Sequence, residues 1–148
     1  SFIGSGSAYG KLKLYVDQES ISNVYFHGPY SKEEEVGLLA GTTMINNFTN
    51  DDMNSRTLAT NRFYLSVVLA LPMIVREGTH QGELCKKYNL GCVIDPETSI
   101  PEQLLVYVAS FDYEIYNQGR YSFLELVKRD TELLNNMLWK FIGKDVNE

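Results

Sequence analysis

The sequence predicts an α/β fold built on a doubly wound parallel sheet, with helices on both faces and one additional C-terminal helix. Three observations carry that expectation. Between Thr60 and Asp95 the apolar residues switch period repeatedly: Phe63, Val67, Val68 and Leu71 recur at helical spacing, Leu71 to Val75 form a short unbroken run, Leu84, Cys85 and Tyr88 return to helical spacing, and Cys92 to Ile94 form a second short run. Short continuous apolar runs mark strands buried on both faces, as parallel strands are. Polar residues gather at the joints between these segments, so strands alternate with helices and the connections cross over.

Taken in chain order, Phe2-Ile3-Gly4 reads as the end of a strand already under way. With no initiating Met, the chain is expected to be an excised domain. The turn from Gly4 to Gly10 is rich in glycine, which tolerates positive φ and lets backbone amides approach a ligand. An amphipathic stretch with Leu12, Leu14, Tyr15 and Val16 follows. Asn23 to Pro29 reads as a short strand and turn. Ser31 with Glu34 has the spacing of a capping box, opening a helix with Val36, Leu38 and Leu39 on its apolar face and Gly41 at its close. Thr42 to Phe48 is expected to be a third strand, leading into the polar loop Thr49 to Arg56. Past Asp95, Ser99 and Glu102 form a second box with Pro101 in the first turn. Gly119 is read as a break, and Ser122 with Glu125 as a third box opening the last helix, about 122–142. Phe123, Val127, Leu134, Met137, Leu138, Phe141 and Ile142 recur at three- and four-residue spacing there, an apolar face broad enough to pack on something outside the chain.

Composition narrows the function classes. A chain of 148 residues with 44% hydrophobic content supports one core, so residues 1–148 are expected to form a single domain. A net charge of -6 with scattered basic residues excludes a nonspecific polyanion binder, and no nucleic-acid partner is expected. Cys85 and Cys92 have no zinc-like spacing and make no disulfide framework, which fits a reduced cytoplasmic setting. No apolar run reaches the roughly 18 residues of a membrane span.

The candidate site sits at the element joints. Gly78-Thr79 follow the strand ending at Val75, beyond the carboxyl edge where α/β sheets bind ligands, and the next helix would direct unpaired N–H groups at a phosphate. Arg62 stands at a helix start after Thr60-Asn61. Each also has a plainer reading, Arg62 as a solvated side chain and Gly78 as a turn residue. His80 lies in the first turn of the helix after Gly78 and could touch a sugar or phosphate or be a surface residue. His27 reads as structural, since no carboxylate is paired with it. Asp51-Asp52 read as an exposed loop and no metal site is expected.

The order and spacing of Phe2 to Leu12, Asn23 to Leu39, Thr60 to Val75 and Glu77 to Asp95 resemble the C-terminal, nucleotide-binding domain of GT-B fold glycosyltransferases, especially bacterial enzymes of capsular and other surface polysaccharide assembly. The most specific stretches are Asn61-Arg62-Phe63-Tyr64, Leu71 to Val75 and Leu90 to Asp95. The resemblance implies a Rossmann-like donor-binding half, with a nucleotide-diphosphate sugar of UDP or GDP type as substrate and no cofactor. It places Arg62 against the leaving diphosphate as the catalytic cation, and Gly4, Gly6, Thr60, Asn61, Gly78, Thr79 and His80 around the donor. The Glu that holds the ribose in many members is Leu65 here, so the ribose contact is expected to differ. A glycan or lipid-linked acceptor would be bound by an N-terminal domain outside this chain, which alone is expected to bind donor weakly and transfer nothing. The full-length enzyme would be cytoplasmic, with peripheral association at the inner face of the membrane among the expectations.

Two other classes fit parts of the sequence. A noncatalytic flavodoxin-like interaction or regulatory domain agrees with the acidic surface. A dinucleotide-dependent oxidoreductase fragment agrees with the opening glycines, though their Gly-x-Gly-x-x-x-Gly spacing is one residue too long and the ribose carboxylate is missing.

Overall fold

The computed structural model describes residues 1–143 and divides the chain into two compact units, Ser1–Thr42 and Thr43 onward. The first unit contains β1 (Phe2–Ile3), α1 (Tyr9–Gln18), β2 (Phe26–Gly28) and the single-turn α2 (Glu35–Leu38). Its β1 and β2 pair in parallel, and the Phe2 and Phe26 rings stack across the ladder at 5.1 Å. Tyr9 meets Phe26 edge-on at 5.3 Å, which ties α1 to the strands. Gly4 takes φ +117 directly after β1, and its N–H donates to the Gly28 carbonyl at 2.8 Å. A side chain there would be strained by the backbone alone.

The second unit contains β3 (Ile45–Asn46), α3 (Met53–Thr57), α4 (Asn61–Val68), β4 (Met73–Arg76), α5 (His80–Tyr88), β5 (Gly91–Ile94), α6 (Ile100–Ser110) and α7 (Tyr113–Phe141). Its three strands lie in the order β3-β4-β5, all parallel, with Met73 opposite Gly91 and Val75 opposite Val93. Side chains alternate across the sheet. Met73 and Val75 face a core made with Phe63 and Val67 of α4, Cys85 of α5, Leu90 and Phe123 of α7. Cys92 points to the opposite face, where its thiol lies 4.0 Å from the Gln103 carbonyl of α6.

The α/β class with parallel strands is present, but the expected doubly wound sheet is not. Its strands are divided between a two-stranded and a three-stranded sheet. Local polar bonds shorten the strands. At the end of β3 the Asn46 carboxamide accepts the Phe48 N–H at 3.0 Å, a turn that stops the pairing after the Asn47 N–H has met the Ile74 carbonyl, and the expected Thr42 to Phe48 strand is reduced to Ile45–Asn46.

The helix starts also differ from the sequence reading. Glu34 does reach back to the Ser31 N–H at 2.7 Å, yet the helix it introduces begins at Glu35 and lasts one turn. Ser99 is the N-cap of α6 with Pro101 in the first turn, but its hydroxyl makes no cap bond. Gln103 organises that corner instead, accepting the Asp95 N–H at 2.9 Å and donating to the Thr98 hydroxyl at 2.8 Å. Val68, placed by its spacing on the apolar face of α4, is exposed.

The largest correction is α7. It begins at Tyr113, capped by Asp112, and runs through Gly119 without a break. Ser122 is mid-helix, its hydroxyl donating back to the Gln118 carbonyl at 2.8 Å, so the third box and a start near 122 are both wrong. Gly119 is a contact residue and no terminator, because a Cβ there would collide with the Tyr88 carbonyl at the end of α5. Phe123 then fills the space among Phe63, Tyr64 and Tyr88 at centroid distances of 5.7, 6.2 and 5.4 Å. From Lys128 onward the described residues of α7 are exposed, including Leu133, Leu134, Met137, Leu138 and Phe141.

Candidate functional site

Beyond β4 the chain turns into α5, and beyond β3 it passes through α3 before entering α4. Thr60 caps α4, accepting the Phe63 N–H on its hydroxyl at 3.2 Å. Thr79 caps α5, accepting the Gly82 N–H at 3.1 Å while donating to the Arg76 carbonyl at 2.7 Å. The caps satisfy the third-position amides and leave the first two N–H groups of each helix, at Asn61-Arg62 and His80-Gln81, without hydrogen bonds among the described residues.

A buried polar cluster joins these helix starts. Asn47, immediately after β3, donates from Nδ2 to Gln81 Oε1 at 2.8 Å. The Thr60 hydroxyl lies 3.2 Å from the same Oε1 and 3.3 Å from Asn47 Oδ1. Thr60 and Gln81 therefore bring the first turns of α4 and α5 together at the carboxyl end of the sheet, the edge beyond which open α/β sheets bind ligands. Asn47 and Gln81 are 4% and 1% exposed. Gln81 Nε2 is buried with no acceptor, as is the Thr49 hydroxyl in the loop after β3.

Three of the four acids near this end, Asp51, Asp52 and Glu77, are committed to partners. The Arg56 guanidinium, bonded to Asp51 through Nε at 2.7 Å and Nη2 at 2.9 Å, lowers the Asp51 pKa. Asp52 caps α3 by accepting the Ser55 N–H at 2.8 Å, and that bond lowers its pKa too. Glu77 pairs with Lys86, while Glu83 is exposed in the first turn of α5. Among the cations, Arg76 ends β4 with its guanidinium 5.8 Å from the Phe48 ring, and the exposed Arg62 has no hydrogen bond or ion pair from its side chain among the described residues. Helix N-termini and uncommitted guanidinium groups together favour an anionic ligand.

The residues singled out from the sequence are thus distributed unevenly. Thr60, Asn61 and Arg62 open α4, and Gly78, Thr79 and His80 form the turn and first residue of α5, so the Thr60 to Gln81 contact joins the two segments. Gly78 has φ +74 and is exposed, as a turn into a cap requires. The Thr79 hydroxyl is fully used within the fold, so Thr79 can offer a ligand only its backbone. His80 is half-buried. Gly4 and Gly6 belong to the first unit, Gly4 as the positive-φ residue after β1 and Gly6 as the carbonyl that accepts the Tyr9 N–H at 3.0 Å. Asn47, Gln81 and Arg76 escaped the sequence reading. Asn47 falls inside the expected Thr42 to Phe48 strand, and Gln81 is one more polar residue in the first turn of a helix, so nothing but polarity marks either of them.

A groove of about 460 Å³ runs along β5 and α6, lined among others by Cys92, Val93, Val106 and Tyr107. Its one charged lining residue is Glu102, and burial raises the pKa of both the Cys92 thiol and the Tyr107 phenol, so its chemistry is neutral to acidic. It does not suit the anion that the helix N-termini favour. The described residues contain no group of acids, cysteines and histidines able to hold a metal, and no described helix is long and apolar enough to cross a membrane. No protein-family model, curated protein or solved structure matches the chain.

Proposed function

We propose that this chain is the Rossmann-like, nucleotide-sugar-binding half of a glycosyltransferase that moves a sugar from a UDP- or GDP-linked donor to a glycan or lipid-linked acceptor. The observation that supports this reading best is the Thr60 to Gln81 contact. It sets the open N-termini of α4 and α5 side by side beyond β3 and β4, with Arg62 at the edge and the neighbouring acids mostly engaged elsewhere. In such a site the diphosphate lies against the helix starts, and Arg62 stabilises the negative charge that grows on the departing nucleotide. A fixed cation acts most strongly where charge develops, so Arg62 contributes more to transfer than to ground-state binding. The acceptor and any general base belong to a separate domain in this reading.

A second reading, a noncatalytic interaction module, draws on the exposed apolar face of the last turns of α7. Titration of the isotopically labelled chain with UDP, GDP and NAD, followed by amide shifts, separates the classes. Saturable UDP or GDP shifts at Asn61, Arg62 and Gly78 to Gln81 are expected. NAD-selective shifts at Gly4 and Gly6 would favour an oxidoreductase, and no response to any of the three would sink the donor-binding reading.

A further inference from the structure

Gln81 is the buried side chain at the meeting point of the two helix N-termini, and its carboxamide is only half used. Its Oε1 accepts from Asn47 Nδ2 and faces the Thr60 hydroxyl, whereas its Nε2 has no acceptor. The orientation of the amide follows from its neighbours. Turning Gln81 alone would set its NH2 against the NH2 of Asn47, and turning both amides would take both amide oxygens away from the Thr60 hydroxyl and cost Asn47 Nδ2 its contact with Met73 Sδ at 3.9 Å. The arrangement in place gives the Thr60 hydrogen and one Asn47 hydrogen an acceptor and leaves the Gln81 NH2 unspent. A buried donor without a partner is costly, and such groups are rare unless something else supplies the acceptor. Thr60, one contact away, is itself exposed, so the amide lies one side chain beneath the surface.

We infer that Gln81 is a ligand-gripping residue of this site, with Nε2 donating to an anionic phosphoryl oxygen held between the first turns of α4 and α5. The assignment rests on the donor-binding reading above and adds to it a side chain outside the pattern of Arg62 and Gly78-Thr79. The amide is held by Asn47 and Thr60, and Nε2 has no solvent-exposed surface of its own, so a phosphoryl oxygen reaches it only when the side chains at the two helix starts part around the ligand. Binding and helix docking become linked through one carboxamide: Oε1 joins α5 to α4 and β3, and Nε2 is left as the donor for the ligand.

The test uses the full chain and two probes, inorganic pyrophosphate and UDP, against wild type, Gln81→Met and Gln81→Glu. Gln81→Met removes the donor at similar volume. Gln81→Glu keeps the acceptor for Asn47 and Thr60 while replacing the donor, and because its charge repels an anion by itself, the response of the wild-type Gln81 side-chain NH2 resonances to pyrophosphate decides the case in which the Met variant does not fold. A lost charge-assisted bond predicts pyrophosphate affinity weakened about tenfold or more in each folded variant, and a shift of the Gln81 side-chain NH2 resonances in wild type on saturation. Affinity within about twofold of wild type in a folded variant, or no saturable pyrophosphate binding by wild type, overturns the assignment. UDP binding that ignores both variants leaves the donor reading standing and removes Gln81 from it. Gln81-dependent pyrophosphate binding with UDP no tighter than pyrophosphate supports the role of Gln81 and sinks the nucleotide-sugar reading.

Discussion

Gly119 of α7 rests directly on the carbonyl of Tyr88, the last residue of α5, at a separation that leaves no room for a Cβ. Two helices therefore meet backbone to backbone, with Phe123 one turn further along packed against the Tyr88 ring. Gly82 plays a related part at the other end of α5, where a Cβ would stand 2.5 Å from the Arg76 carbonyl.

Replacing Gly119 by Ala tests the contact by sign as well as size. In an unencumbered helix interior the change stabilises by roughly 1 kcal/mol. Here it is expected to destabilise by about 3 kcal/mol, the upper range for forcing an extra carbon into a packed site. Urea denaturation of the two proteins measures the difference, and a stabilised variant would show that α7 does not lie on Tyr88.

Thr79→Val removes a hydroxyl that both caps α5 and anchors it to the Arg76 carbonyl. A loss of about 1–2 kcal/mol is expected, in the range of N-cap deletions. Thr79→Ser should recover most of it. Since the hydroxyl is spent inside the fold, the Ser variant should also bind UDP as wild type does.

Alkaline pH should weaken the fold through Cys85 and Tyr116. Burial pushes the Cys85 thiol from the ordinary thiol range up to about 12, and the Tyr116 phenol likewise up to about 12. Both are acids whose neutral form the folded state prefers, so their contribution is complete below the unfolded pKa and is lost as pH rises toward the folded one. For Cys85 that window opens near pH 9 and closes near 12, with a limiting slope of about 1.4 kcal/mol per pH unit. Denaturation midpoints measured from pH 8 to 11 should fall, and Cys85→Ala should make the decline shallower.

Arg62→Ala addresses the proposed function without disturbing the core, because the side chain is exposed. Its melting temperature should stay near wild type while UDP affinity drops about tenfold, the scale of one charge-assisted contact. Unchanged affinity in the folded variant would remove Arg62 from the site.

The legible part of the fold was the part written in hydrophobic period. The Leu71 to Val75 and Cys92 to Ile94 runs, and the helix ending at Asn89, are strands and a helix within about two residues of their expected places, β4 starting two residues later at Met73. Thr60 and Asn61 were recognisable as a helix entry because a capping residue precedes an apolar repeat. Gly119 was misread because glycine as a breaker and glycine as a packing contact look alike until the neighbouring helix is known. The paired use of Ser and Glu at capping-box spacing misled at Ser122 for a similar reason, since a serine inside a helix can satisfy its hydroxyl on the preceding turn. Gln81 and Asn47 could not be paired from sequence, being 34 positions apart and joined only by the crossover of the chain.

The electrostatic layout has a kinetic consequence. The chain carries a net charge of -6, whereas the starts of α4 and α5 present unpaired amides and, at Arg62, a guanidinium group. A phosphorylated ligand thus approaches against a repulsive far field and is retained by an attractive near one. Raising the ionic strength weakens the first over a distance of about 8–10 Å and beyond. It also loosens the contacts that hold the ligand once it has arrived. The association rate should therefore rise with salt and the dissociation rate should rise with it, so stopped-flow rates would reveal two opposed effects that an equilibrium titration reports only as their difference.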